Sequence, residues 1–241
     1  MENPPKNYYT LIQGDCLEVL SKMKKERVDL VITSPPYFSS YGKYQKGVDY
    51  GEPLYTIEDV SKELFRVLKP DGFYCLNLGF GRGNISPLRP YRIVERVTKY
   101  GWNCGDVVIW HKANPIPTPN KLTNSYEYIF ILTKASKWKF KRKIDYEHNV
   151  WEFPIDSEGH GCCAFPEELP KRCIELMSKK GDLVLDPFSG SGTTMKASRD
   201  LSRNCIGIEI NPKYCEIAKK RIFGKKPLNR EVVYKFVRWN T

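Results

Sequence analysis

The chain has no apolar run approaching the ~18 residues that a membrane-crossing helix requires. Its opening residues, MENPPKNYY, lack the basic-then-apolar order of a secretory signal, which points to the cytoplasm and to no membrane partner. Histidine is scarce: His111, His148 and His160 are the three present, too far apart in sequence to suggest a metal site. The eight cysteines supply no CxxC pair, and only Cys162 and Cys163 are neighbours. They read as reduced, mostly buried thiols, and no metal is expected. The glycine- and serine-rich turn near Gly190 has neither the GxGxxG of a standard dinucleotide dehydrogenase nor the lysine of a P-loop. Internal repeats and low-complexity tracts are absent too.

What the sequence does carry is an excess of base. Against 28 acidic residues stand 39 Lys and Arg, a formal charge of +11. Such a surface gathers phosphates at long range, and nucleic acid is the leading partner. With 41% apolar and 13% aromatic residues in 241, there is enough for a large core in a single α/β domain, 1–241, bearing an insertion.

Periodicity sketches the order of elements. Tyr8 to Ile12 alternates as a strand, and Gly14-Asp15 ends it before a helix in CLEVLSKM that Asp15 can cap. The β-branched run at Val28 to Ile32 is a second strand. Ile57 to Leu68 is an amphipathic helix that Pro70-Asp71-Gly72 terminates before the strand FYCLNLG. Tyr91 to Tyr100 reads as a helix, and Val107 to Trp110 with Tyr126 to Leu132 as an antiparallel pair at the sheet edge. A helical stripe spans Phe165 to Ser178. Leu183 to Leu185 is a buried strand, a helix starts at Thr193, and a last strand ends at Glu209 before the Asn211-Pro212 turn and an amphipathic helix.

Two stretches hold the chemistry. In the first, Thr33, Ser34, Pro35, Pro36 and Tyr37 follow a buried strand, and the two prolines force the backbone out of the sheet. Carbonyls and one aromatic face are thereby held rigidly at a strand's C-terminal end, the edge at which open α/β sheets bind ligands. A proline turn closing any buried strand is the plainer alternative. The second stretch runs strand, Asp186-Pro187-Phe188-Ser-Gly190-Ser-Gly192-Thr193, helix, strand, Glu209. Glycines let backbone pass close to a ligand, and an acid at the end of the next strand can accept from both ribose hydroxyls. Phe188 could equally pack in the core, and Thr193 could cap the helix.

Two further segments mix bases with aromatics. Residues 38–56 form a long aperiodic loop with Tyr41, Lys43, Tyr44 and Lys46, and 134–156 interleaves Lys139, Lys141 and Arg142 with Trp138, Phe140, Tyr146 and Trp151. Nucleobases stack on such rings while phosphates meet the charges, although a solvated basic ribbon has the same composition.

TSPPY at Thr33 to Tyr37, DPFSGSGTT at Asp186 to Thr194 and the later Glu209 together resemble the amino-methylating DNA methyltransferases, in the β-group order with the catalytic motif before the cofactor motif. HGCCAFPEELPKRCI resembles the helix that precedes the family's cofactor loop. The resemblance implies a Rossmann-like α/β fold, a mixed seven-stranded sheet with helices on both faces, in which the two motif strands lie side by side. It implies S-adenosyl-L-methionine as cofactor, with Asp15 on the adenine side, Asp186, Phe188, Gly190 and Thr193 on the methionine side, Glu209 on the ribose, and Thr33, Pro187, Gly192 and Asn211 beside them. Ser34 and the Pro35 carbonyl would accept from the target amine, and Tyr37 would stack on a flipped-out base. SPPY goes with cytosine N4 more often than with adenine N6. Double-stranded DNA is then the partner, with a cognate restriction endonuclease and a homodimer as family expectations, 38–56 as a DNA-facing loop and 134–156 as a small target-recognition segment. An adenine-N6 enzyme, and a non-catalytic DNA-binding subunit on the same fold, are the rival readings.

Overall fold

The computed structural model describes residues 7–35, 57–79, 87–117, 120, 122–141, 148–155, 165–224 and 233–239. Along the chain run β1 (Tyr8–Gln13), α1 (Cys16–Lys22), β2 (Val28–Thr33), α2 (Ile57–Val67), β3 (Leu68–Leu78), α3 (Arg89–Thr98), β4 (Asn103–Lys112) and β5 (Tyr126–Thr133). Then come β6 (Val150–Phe153), α4 (Glu168–Met177), β7 (Leu183–Asp186), α5 (Thr193–Asp200), β8 (Asn204–Glu209), α6 (Pro212–Phe223) and β9 (Val233–Arg238).

The strands form one sheet in the order β6-β4-β5-β3-β2-β7-β8-β1-β9. Among the described residues only β5 runs against its neighbours, β3 and β4. Seven inner strands, β4 to β1 in that order, make the expected mixed sheet, and β6 and β9 extend it by one strand at each edge. The β4/β5 pair is therefore not the edge, because β6 pairs alongside β4. Central strands β2, β3, β5 and β7 are apolar on both sides since helices cover both faces. Buried Val19, Leu20, Val60, Leu64, Val94 and Val97 of α1, α2 and α3 pack on one face. Leu169, Cys173, Met195, Ala197, Ala218 and Ile222 of α4, α5 and α6 pack on the other. Each large apolar side chain so buried contributes about 1.5–3 kcal/mol of transfer free energy.

Two local expectations are revised. Pro70-Asp71-Gly72 does not end α2; it bulges within β3, where the register jumps from Val28 opposite Leu68 to Leu30 opposite Phe73. A bulge tolerates a proline because its unpaired residues need no ladder donor. Trp138 and Phe140, after β5, are not a free ribbon either. They pack on Phe73, at ring-centroid distances of 6.1 and 6.0 Å, and the apolar area this removes from water outweighs their exposure beside lysines.

Strand order reverses between β2 and β7. From β2 the chain crosses by α2 to β3 on one side, and from β7 it crosses by α5, on the opposite face, to β8 on the other. Such a reversal leaves a crevice outside the strands' carboxyl ends, and both chemistry-bearing stretches begin there.

Candidate active site

Leu30 lies opposite Val184 and Val31 opposite Leu185, so β2 and β7 end together. At their tips Thr33 Oγ1 donates to Asp186 Oδ1 at 2.9 Å. Thr194 Oγ1 donates to Asp186 Oδ2 at 2.7 Å, and the Phe188 N–H donates to Oδ1 at 3.1 Å. Asp186 is only 2% exposed; burial pushes its carboxyl up to about 6, and the three donors restrain the rise. Its side chain thus ties the first stretch to the second and to the start of α5. Ser34 is half-buried directly after Thr33, and Pro35 is buried. Pro36 and Tyr37 lie outside the described residues, as do Tyr41, Lys43, Tyr44, Lys46 and Arg142.

The turn after β7 is shaped by backbone that favours glycine: Gly190 has φ 50° and Gly192 φ 82°. A Cβ at Gly192 would also stand 2.8 Å from Ile222 Cδ1 and 3.1 Å from Ala218 Cβ, so a side chain there would force Ile222 to shift. Gly192 occupies the N-cap of α5, so Thr193 does not cap the helix; Thr193 Oγ1 instead accepts from Arg221 Nη1 at 3.0 Å. Pro187 is buried, and Phe188, partly buried, packs against the core of the α1–α3 face.

Glu209 ends β8 beside this turn. Its Oε2 accepts the Gly190 N–H at 2.8 Å and its Oε1 the Asn211 N–H at 2.7 Å. Burial pushes the carboxyl up to about 7, against the pull of those backbone donors, with the Asp186 charge adding to the rise. Each carboxylate oxygen has a second lone pair, so both can still accept from a ligand. Asn211 caps α6 by accepting from the Lys213 N–H at 2.9 Å. On the far side of β8, Gly14 N–H donates to the Glu209 carbonyl at 3.0 Å, which brings Asp15 to the same edge. Asp15 caps α1 through Oδ1 alone, at 2.8 and 3.1 Å from the Leu17 and Glu18 nitrogens.

Some participants are not visible in the sequence motifs. Ile210, next to Glu209, leaves its side chain 44% exposed at this rim. Arg221 of α6 reaches back to the turn and donates through Nη2 to Glu167 Oε1 at 2.7 Å, while Lys196 Nζ meets Glu167 Oε2 at 2.6 Å. Burial would raise the Glu167 carboxyl, but hydrogen bonds from Lys196 and Arg221, with their charges, hold it at about 2. A carboxylate before α4 is thereby clamped to the turn, a contact between residues 54 apart that no local pattern signals.

Lys139 and Lys141 are not brought to this edge. Because β5 is reversed, the chain after Thr133 emerges at the opposite end of the sheet, where Lys141 pairs with Asp71 and its N–H donates to the Leu176 carbonyl at 3.0 Å. Asp71 neutralises that charge. Lys139 is exposed at the same remote end.

A family model described as DNA methylase matches residues 28–220. The Type II methyltransferase M.XycI of Xanthomonas campestris pv. cyanopsidis is 30% identical over 264 residues, covering 90% of this chain and 88% of its own. The TTHA0409 protein of Thermus thermophilus, solved with S-adenosyl-L-methionine, superposes with a TM-score of 0.73 at 26% identity over 97% of this chain and 99% of its own. The cytosine-N4-specific PvuII DNA methyltransferase has the same fold, with a TM-score of 0.74 at 22% identity, covering 94% and 92%. Among the described residues no helix is long and apolar enough to cross a membrane.

Proposed function

We propose that this chain, which belongs to the DNA methylase family of N6 and N4 amino-methylating enzymes, modifies the N4 amine of a flipped-out cytosine in double-stranded DNA. Its motif order is that of the β group, and its methyl donor is S-adenosyl-L-methionine. When bound, that cofactor supplies an electrophilic methyl group on a sulfonium centre. The reading is carried by the 2.9 Å bond from Thr33 to Asp186, which joins the acceptor-bearing strand to the cofactor turn.

The residues fit both ligands. Glu209 offers two oxygens to the ribose diol, Ile210 an apolar face to the adenine, and Asp15 the oxygen its cap does not use to the adenine amine. The turn through Pro187, Phe188, Gly190, Gly192 and Thr193, with Asn211 beside it, encloses the methionine part. An exocyclic base amine is conjugated with its ring and is a poor nucleophile. Ser34 Oγ and the Pro35 carbonyl accept its two N–H bonds and favour the pyramidal form whose lone pair can attack; alignment of this kind supplies much of a rate enhancement. Extrusion of the base costs roughly a few kcal/mol, offset by stacking on Tyr37. The preference for cytosine rests on serine at Ser34, where adenine enzymes more often carry aspartate. A Type II modification role beside a cognate endonuclease, and a homodimer that completes target recognition, accompany this reading.

DNA methylated by the protein, digested to nucleosides and analysed by mass spectrometry, should yield N4-methylcytosine. N6-methyladenine in its place would transfer the same mechanism to the adenine amine.

Cofactor binding should depend on pH. Only ionised Glu209 accepts from both ribose hydroxyls, and its carboxyl stands at about 7, so affinity should fall as pH drops through that value. The limit is about tenfold per pH unit well below it. Glu209→Gln should bind more weakly and lose the dependence. Calorimetric titration across the neutral range checks this; an affinity flat with pH in the wild type would remove Glu209 from the ribose site.

A further inference from the structure

Asn77 sits near the end of β3 and is 2% exposed. Its Nδ2 donates to the Tyr128 carbonyl of β5 at 3.1 Å. A carbonyl can only accept, so this contact fixes which end of the amide is nitrogen. Oδ1 is then turned away from the Tyr128 carbonyl. That oxygen is buried and takes no hydrogen bond among the described residues. A buried acceptor without a donor is costly, and its persistence at a functional edge calls for a partner.

The ladder identifies the neighbour. Ile32 of β2 lies opposite Cys75 of β3, and Thr33 opposite Leu76. Asn77 is the next residue on β3, and Ser34 is the first residue past the end of β2. Ile32 and Cys75 belong to the core on the α4–α6 face, and alternation along β3 carries Asn77 to that same face. Asn77 therefore flanks the point at which the chain leaves β2 with Ser34, the residue read as the amine acceptor.

A serine hydroxyl has one proton and two lone pairs. To accept a hydrogen bond from the target amine it must direct its own proton elsewhere; otherwise that proton competes for the same space. We infer that Asn77 is a positioning residue whose Oδ1 accepts the Ser34 hydroxyl hydrogen bond when the base is in place, leaving the Ser34 lone pairs facing the amine. This rests on the reading of Ser34 as acceptor. The Tyr128 carbonyl, by holding Nδ2, keeps Oδ1 on the correct side. No proton is transferred in this step; one hydrogen bond orients another.

The test is a double-mutant cycle on the full chain, read as single-turnover methyl transfer to DNA at saturating cofactor, with cofactor affinity measured by calorimetry. Asn77→Leu should lower the transfer rate about tenfold and change cofactor affinity by less than about twofold. In a Ser34→Ala background the same substitution should cause no further loss, because the hydroxyl it orients is gone. Asn77→Ala, which makes no demand on packing volume, serves in the same cycle if the leucine variant does not fold. Equal losses from Asn77→Leu with and without Ser34 would overturn the inference, as would an unimpaired Asn77→Leu beside an impaired Ser34→Ala. Full activity in Ser34→Ala itself would instead remove the reading on which the inference stands.

Discussion

Ser34→Ala should lower the rate of methyl transfer by about 100- to 1,000-fold while shifting affinity for S-adenosyl-L-methionine by less than about twofold. The asymmetry follows from position. Ser34 lies past the end of β2, on the target side of the strand reversal, whereas the groups read as meeting the cofactor, apart from Thr33 at the tip of β2, lie on β7, β8, β1 and their turns. Alanine removes one preorganised acceptor from the amine and leaves the Thr33 to Asp186 bond in place. Binding energy toward the cofactor is then untouched, and the loss appears in the chemical step. Single-turnover transfer together with calorimetry separates the two quantities. A mutant that turns over at the wild-type rate would end the assigned chemistry.

Asp186→Ala should fail differently, losing stability and cofactor affinity together. Three donors converge on that carboxylate inside the protein, from Thr33, Thr194 and the Phe188 N–H. Without it they are left in a dry site, at a cost of about 3–5 kcal/mol when each unsatisfied group is counted at the lower end of its usual range. For a domain of this size that lowers the melting temperature by roughly 10 °C. The turn after β7 also loses its anchor to β2. Asp186→Asn keeps one acceptor oxygen, and the Thr194 hydroxyl can rotate to accept from the new amide, so its cost should be nearer ~1 kcal/mol. Thermal melts of both variants, with and without cofactor, check the ordering. If alanine melted no lower than asparagine, Asp186 would not brace β2 against the turn after β7.

The elements that hold the site are legible because their signals are local. A buried β-branched run followed by two prolines can only leave a sheet, and β2 does so at Thr33. Asp15 and Asn211 precede apolar helical stripes and cap them, as short polar side chains do. Glycines at positive φ shape the turn after β7. By contrast, the Pro70-Asp71-Gly72 bulge reads as a terminator because a proline looks the same from sequence whether a strand begins after it or detours around it. Trp138 and Phe140 resemble a nucleic-acid ribbon for a related reason: alternating bases and rings do not disclose that the rings turn inward.

From the order of residues alone came the two motifs, their β-group sequence, the family resemblance and the basic charge, since each depends on near neighbours or on simple counting. Only the folded chain decided that Asp186 faces inward as a brace, that Arg221 and Glu167 clamp the turn after β7, that Asn77 flanks the end of β2, and that Lys141 is neutralised at the far end of the sheet. The physical reason is that strand order and direction in a sheet, set by burial on both its faces, determine which distant side chains share an edge. Periodicity along the chain carries no record of that choice.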